Sequence, residues 1–264
     1  MKKIQTIIIV LFVAVDLMRA QDSKVVTPTS LIVGVTPIFP PMIYKENGKI
    51  VGVEADFANA LGKALGRRVK FVEVEWQDQI PQVQEGWTDI IMSDMSVTDT
   101  RKLRVTFAKP YLEVGQIALV RREDAARYTK GFPLPPPGTV GVVKATTGDF
   151  MVQQEFSHTK RKTYSSAEDG ARALMKKRID LFISDSPTVY WLAGLHEADG
   201  LVAVPVLLTH EQLAWAMNPA DTNFVNSVNA ALSQLQASGR ADEIMKHWIP
   251  QFNLSATNSA TNSN

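Results

Sequence analysis

The chain is organised by an alternation that restarts. Short runs rich in Val, Ile and Leu, at Leu31–Val35, Val69–Val74, Asp89–Met92, Ile117–Val120, Thr139–Val143, Leu181–Ser184 and Leu201–Val206, are separated by segments with helical patterning. Runs this short and apolar suit buried parallel strands, whose two faces both lie under helices. Helices are expected at Glu54–Leu65, Ile80–Glu85, Thr147–Phe156, Ala167–Lys177, Pro187–Leu195, Phe224–Ala237 and Ala241–Trp248, with Gly66, Gly86 and Gly239 as stop signals. Such alternation builds α/β architecture from βαβ units. It runs from Leu31 to Met92 and again from Thr139 to Ser184, which predicts two mostly parallel sheets with room for a ligand between them.

The two ends stand outside this pattern. Met1-Lys2-Lys3, the apolar run Ile7 to Val15 and the small Ala20 before Gln21 read as a secretory signal peptide over 1–20. The run falls short of the roughly 18 apolar residues of a membrane anchor, so an exported, periplasmic product is expected. The repeated Ser-Ala-Thr-Asn at 255–262 buries no core, and 253–264 is expected to be a disordered tail. Pro133-Leu-Pro-Pro-Pro-Gly138 reads as a surface loop.

Composition serves mainly to exclude. The absence of Cys removes disulfides, thiolate zinc sites, thiol nucleophiles and lipid attachment to a cysteine. A net charge of +1 makes no electrostatic case for nucleic acid. No Gly-x-Ser-x-Gly, Walker loop or His-Glu-x-x-His is present, and the four His lack ligand spacing, so no catalytic residue, metal or cofactor is expected. Lys160-Arg-Lys and Lys176-Lys-Arg read as solvated faces.

Ligands of open α/β sheets gather at the carboxyl ends of the strands. The loops there carry Thr36 and Phe39; Trp76; Asp94, Ser96 and Arg101; Lys144, Thr147 and Gly148; and Asp185. Each has a plain structural role open to it: Arg101 as a turn or salt-bridge residue, Asp185 as the N-cap before Pro187, the two rings as core. Their joint placement is more telling. A guanidinium beside a helix N-terminus at Thr147–Gly148 suits a carboxylate, and an Asp across a cleft suits an ammonium. Together they describe a site for a free α-amino acid.

The segments Ile32-Val-Gly-Val-Thr-Pro-Ile-Phe-Pro-Pro41, Asn47-Gly-Lys-Ile-Val-Gly-Val-Glu-Ala-Asp56, Met95-Ser-Val-Thr-Asp-Thr-Arg101, Phe107-Ala-Lys-Pro-Tyr111, Val140-Gly-Val-Val-Lys-Ala-Thr-Thr-Gly148 and Ile179-Asp-Leu-Phe-Ile-Ser-Asp-Ser-Pro187 occur in order, followed by Gly239-Arg-Ala-Asp-Glu-Ile-Met-Lys-His-Trp248. In that order they resemble the extracellular solute-binding proteins of family 3, the periplasmic amino-acid receptors of ABC importers. The resemblance implies a two-lobed type II periplasmic-binding-protein fold, each lobe an α/β sandwich, with lobe one at 31–116 plus 212–252 and lobe two at 117–211. Crossovers would lie near Leu112–Gln116 and Glu211–Ala214. It implies further that Arg101 takes the ligand carboxylate with Ser96, Thr147 and Gly148, that Asp185 and the backbone at Asp94 take the ammonium, and that Phe39, Trp76, Thr36 and Lys144 line the side-chain pocket. The implied partners are a small-molecule amino acid and an inner-membrane ABC permease, for a monomeric receptor.

Two departures bear on the ligand. Asp94 stands where the family commonly has Gly, and Thr36 where several members carry an acid. With Lys144 and Asp94 both in the pocket, a polar uncharged side chain is the preferred reading. A cyclohexadienyl dehydratase on this scaffold is the rival; it resembles the family but needs a Glu and a Lys where this chain has Thr188 and Gln116. A sensory ligand-binding role is the second alternative.

Overall fold

The computed structural model describes residues 29–128 and 131–250. The expected signal peptide at 1–20 and tail at 253–264 lie outside the described residues. Two five-stranded sheets repeat one plan. In the first, Arg68–Glu73, Ser30–Val35 and Ile90–Ile91 run parallel, and Ala216–Met217 and Thr106–Phe107 follow, with Ala216–Met217 antiparallel to both neighbours. In the second, Lys160–Tyr164, Thr139–Val143 and Leu181–Asp185 run parallel, and Gln116–Arg121 is antiparallel to Leu181–Asp185 and to the edge strand Leu201–Val204. The first sheet thus takes its strand at 216–217 only after the chain has built the second.

Two of the runs expected to be parallel, near 117–120 and 201–206, are antiparallel. The strand Gln116–Arg121 is as buried as its parallel neighbours, so its apolar run reports burial and not direction. Arg68–Glu73 is an edge strand with alternating exposure rather than sheet interior. The strand Lys160–Tyr164 carries the basic Lys160-Arg161-Lys162 triplet on an exposed edge, and Lys176, Lys177 and Arg178 are exposed after the helix Ala167–Met175. Among the described residues, no helix is long and apolar enough to cross a membrane.

Helices form close to the expected positions: Val53–Leu65, Gln79–Gln84, Thr147–Glu155, Ala167–Met175, Ser186–Leu195, Thr222–Ala237 and Arg240–Trp248. Val53–Leu65 turns Phe57, Ala58 and Leu61 onto the first sheet and closes at Gly66 in the left-handed conformation. Phe57, Tyr111 and the fully buried Trp215 pack ring against ring with centroids 5.5–5.6 Å apart. Inside this aromatic cluster lies a carboxylate, Glu54. It accepts from Tyr111 Oη at 2.7 Å, Trp215 Nε1 at 2.8 Å and the Asp94 backbone N at 3.0 Å. The first helix is thereby tied to the loop that follows the third strand.

The sheets are joined by two crossing segments, Leu112–Val114 and Glu211–Leu213, which pair antiparallel. At Gly115 the crossings touch: any Cβ there would overlap the Thr209 carbonyl oxygen. The Gln116 backbone N donates to Thr209 Oγ1 at 2.9 Å, and Leu208 N donates to the Gln116 carbonyl at 2.8 Å. This narrow two-stranded waist leaves the space between the sheets as a cleft.

Candidate functional site

The loops after the parallel strands of both sheets meet across a narrow cavity, lined by Phe39, Trp76, Asp94, Ser96 and Arg101 on one side and Thr146, Thr147, Ser184 and Asp185 on the other. Seven of the ten residues anticipated for the site line it: Arg101, Asp185, Ser96, Asp94, Thr147, Phe39 and Trp76.

Arg101 comes from the short helix Asp99–Lys102, whose N-cap Thr98 accepts from the Arg101 backbone N. That cap uses the main chain and leaves the guanidinium free to turn inward. It donates to the Ser96 carbonyl at 2.7 Å and lies 5.4 Å from the centroid of the Trp76 ring. Among the described residues it makes no ion pair within 4 Å, so the turn or salt-bridge role does not describe it. Burial lowers its pKa, against the opposing pull of Asp185 and Glu211, and a guanidinium stays cationic regardless.

Asp185 does occupy the N-cap position of Ser186–Leu195, but its side chain makes no cap bond there. It faces Gln116, whose Nε2 donates to Asp185 Oδ1, to Thr147 Oγ1 at 3.2 Å and to Glu211 Oε1 at 3.1 Å. Burial, and next the Glu211 carboxylate, push the Asp185 carboxyl up to about 7, while Gln116 and Arg101 pull it down. Asp94 sits at φ 58°, a left-handed conformation that explains why Gly suits this place and that Asp tolerates. Its carboxyl is buried, Oδ1 has no hydrogen-bond partner, and its pKa rises well above the ordinary value through burial first, then Asp185, Glu54 and Glu211. Glu54 reaches about 7 because burial outweighs its three hydrogen bonds.

Trp76 crosses the cleft. Its Nε1 donates to the Ala145 carbonyl at 2.8 Å, and Phe39 meets it edge to face at 5.5 Å. Thr146 is the N-cap of Thr147–Glu155, accepting from Asp149 N at 3.3 Å. The first-turn N–H groups of that helix border the cavity through Thr147.

Three anticipated residues do not line this cavity. Gly148 lies behind it, where a Cβ would stand 2.5 Å from Gln116 Oε1, so its lack of a side chain makes room for Gln116. Thr36 is spent on the fold: its hydroxyl donates to the Val74 carbonyl at 2.7 Å and accepts from Gln79 Nε2 at 2.8 Å. Lys144 is exposed, and with Thr36 it lines a neighbouring opening beside Val74 and Tyr164. Lys144 and Asp94 therefore share no cavity, which removes the charge balance behind a polar uncharged ligand side chain. Conversely, Gln116, Glu211 and Glu54 were not anticipated as site residues. Gln116 opens the second-sheet strand Gln116–Arg121 and Glu211 opens the crossing Glu211–Leu213; the sequence marked Gln116 only as the place where the rival dehydratase carries a Lys.

The sequence and the fold both recur among known proteins. The model of the bacterial extracellular solute-binding proteins, family 3, matches residues 31–251. The "Probable histidine-binding protein" of Neisseria gonorrhoeae is 29% identical over 206 residues, 76% of each chain. The arginine-binding periplasmic protein of Mannheimia haemolytica is 25% identical over 253 residues, covering 94% of this chain and 99% of its own. Among solved structures, an ancestral amino acid-binding protein described as a precursor of cyclohexadienyl dehydratase superposes with a TM-score of 0.76 at 32% identity, over 83% of this chain and 95% of its own.

Proposed function

The chain belongs to the bacterial extracellular solute-binding proteins of family 3, and from that membership we propose that its cleft captures a free α-amino acid and passes it to the permease of an ABC importer. The observation that carries the ligand class is the opposition of Arg101, without an ion-pair partner, to Asp185 in one cleft between the two sheets. Arg101 takes the α-carboxylate through its planar fork, aided by Ser96 and by Thr147 at the helix N-terminus. Asp185 takes the α-ammonium, and Phe39 and Trp76 wall the side chain. Of the described residues, 31–115 plus 212–250 form lobe one and 116–211 lobe two, Gln116 pairing in the second sheet. The lobes close about the paired crossings Leu112–Val114 and Glu211–Leu213, with ligand contacts from both sides holding the closed state. The protein works in the periplasm as a monomer and performs no chemistry on its ligand.

The dehydratase reading draws support from the likeness to a dehydratase precursor and from carboxyl groups held near neutrality. Against it, Gln116 is committed to three acceptors and Thr188 is a fully buried hydroxyl, so the acid and the ammonium of that enzyme have no counterpart at those places. A thermal-shift screen against the twenty amino acids and prephenate separates the readings, because a ligand of the folded state raises the melting temperature. One or more amino acids should raise it. Prephenate turnover, or silence from all twenty, would overturn the proposal.

A further inference from the structure

Arg101 and Asp185 account for the two charges every amino acid carries, yet the cleft holds more charge than that. Asp94 lines the same cavity, is about 5% exposed, and has Oδ1 buried without a hydrogen-bond partner. Its loop is not free to swing away, because the Asp94 backbone N is held by Glu54 inside the aromatic cluster. Behind Asp185 lies Glu211. Its Oε1 accepts from Gln116 at 3.1 Å and Thr209 at 2.6 Å, while Oε2 is buried and unpartnered. Arg101 is the one cation among the described residues lining the cavity, and the candidate that might have balanced Asp94, Lys144, faces a different opening.

With a zwitterion bound, Arg101 and Asp185 are each neutralised, and Asp94 remains a buried carboxyl whose ionised form has no counter-charge in the cleft. Such a group is expensive unless something positive meets it. A resident metal ion does not fit, since no group of three or more His, Asp or Glu among the described residues stands close enough to hold one. We propose that Asp94, backed by Glu211, is a second cation subsite and that the ligand of this cleft is an amino acid with a positively charged side chain. The proposal rests on the amino-acid reading above and sharpens it. Trp76 lines the same cavity as Asp94 and supplies an aromatic wall for the aliphatic stem of such a side chain.

Calorimetry on the mature protein with arginine, lysine, glutamine and leucine tests it. Arginine or lysine should bind at least about 30-fold more tightly than glutamine. Asp94→Asn keeps the size and tolerates the positive φ; it should erase most of that preference by weakening the basic ligand while leaving glutamine within a few fold. Glu211→Gln should narrow the same ratio less. The melting temperature of each ligand-free variant checks that it is folded. Glutamine binding as tightly as the basic amino acids, or an unchanged ratio in folded Asp94→Asn, overturns the subsite and leaves the amino-acid reading standing. No binding of any amino acid overturns that reading itself.

Discussion

Acidification should empty the cleft. With the cleft empty, the Asp185 carboxyl is held at about 7, where the ordinary value is 3.8. An ammonium seated on it favours the ionised form, so binding must displace the proton wherever Asp185 carries one. Affinity is then at its plateau above pH 7 and falls tenfold for each unit below. At pH 5, two units down, the loss is about 100-fold, or about 2.7 kcal/mol. Asp94, also raised, steepens the fall if its own ionisation is required. The ligand-free protein responds in the opposite sense. Glu54 and Asp185 titrate higher in the folded chain than in the unfolded one, so the stability they contribute is full below about pH 4 and is lost as the pH rises through 7. Titration calorimetry from pH 5 to 8, in two buffers of different ionisation heat and with a ligand whose side chain does not titrate in that range, reads both affinity and protons released. About one proton or more should leave per ligand at pH 6, and Asp185→Asn should flatten the profile along with weakening binding. Equal affinity at pH 5 and 8 in the native protein would show that Asp185 does not meet the ammonium.

Arg101→Ala should cost roughly 2–5 kcal/mol of binding, since it leaves the ligand carboxylate buried without its partner; calorimetry within twofold of the native affinity would remove Arg101 from the site. Gly115→Ala forces a Cβ into the Thr209 carbonyl at the waist, and a loss of about 1–3 kcal/mol in denaturant unfolding is expected. An unchanged midpoint there would mean the crossings can part freely. Trp76→Phe keeps a ring against Phe39 and removes only the bond to the Ala145 carbonyl, so affinity should drop by about 0.5–1.5 kcal/mol with unaltered circular dichroism. Affinity equal to the native would argue that this bond does not help hold the lobes together.

The central strands were legible because burial on both faces forces an unbroken apolar run, as in Leu181–Asp185. The edge strand Lys160–Tyr164 hid behind three basic residues that a solvated edge permits. The waist was reached only through the resemblance, which put crossovers near Leu112–Gln116 and Glu211–Ala214. Leu112–Val114 pairs with Glu211–Leu213 about a hundred residues on, and local periodicity carries no information about such a partner. The same limit acted on the site. A residue's position after a strand says which loop it occupies and not which way its side chain turns. Arg101 and Asp185 line the cleft while Thr36 and Lys144, placed alike after their strands, turn elsewhere, a difference that loop position does not encode.

Charge shows most sharply where counting residues along a chain stops being informative. A net charge of +1 spread over 264 residues describes the outer surface, where exposed pairs such as Lys45–Glu73 sit in high dielectric and contribute little. In the cleft, Asp185 and Glu211 raise the proton affinity of Asp94, and Glu211 raises that of Asp185, against the single cation that lines it, and burial multiplies each interaction. On the proposed reading, the positive charge that balances these carboxyls comes with the ligand, which couples specificity to closure: the lobes would approach at low cost only around a solute whose charges match those of the cleft.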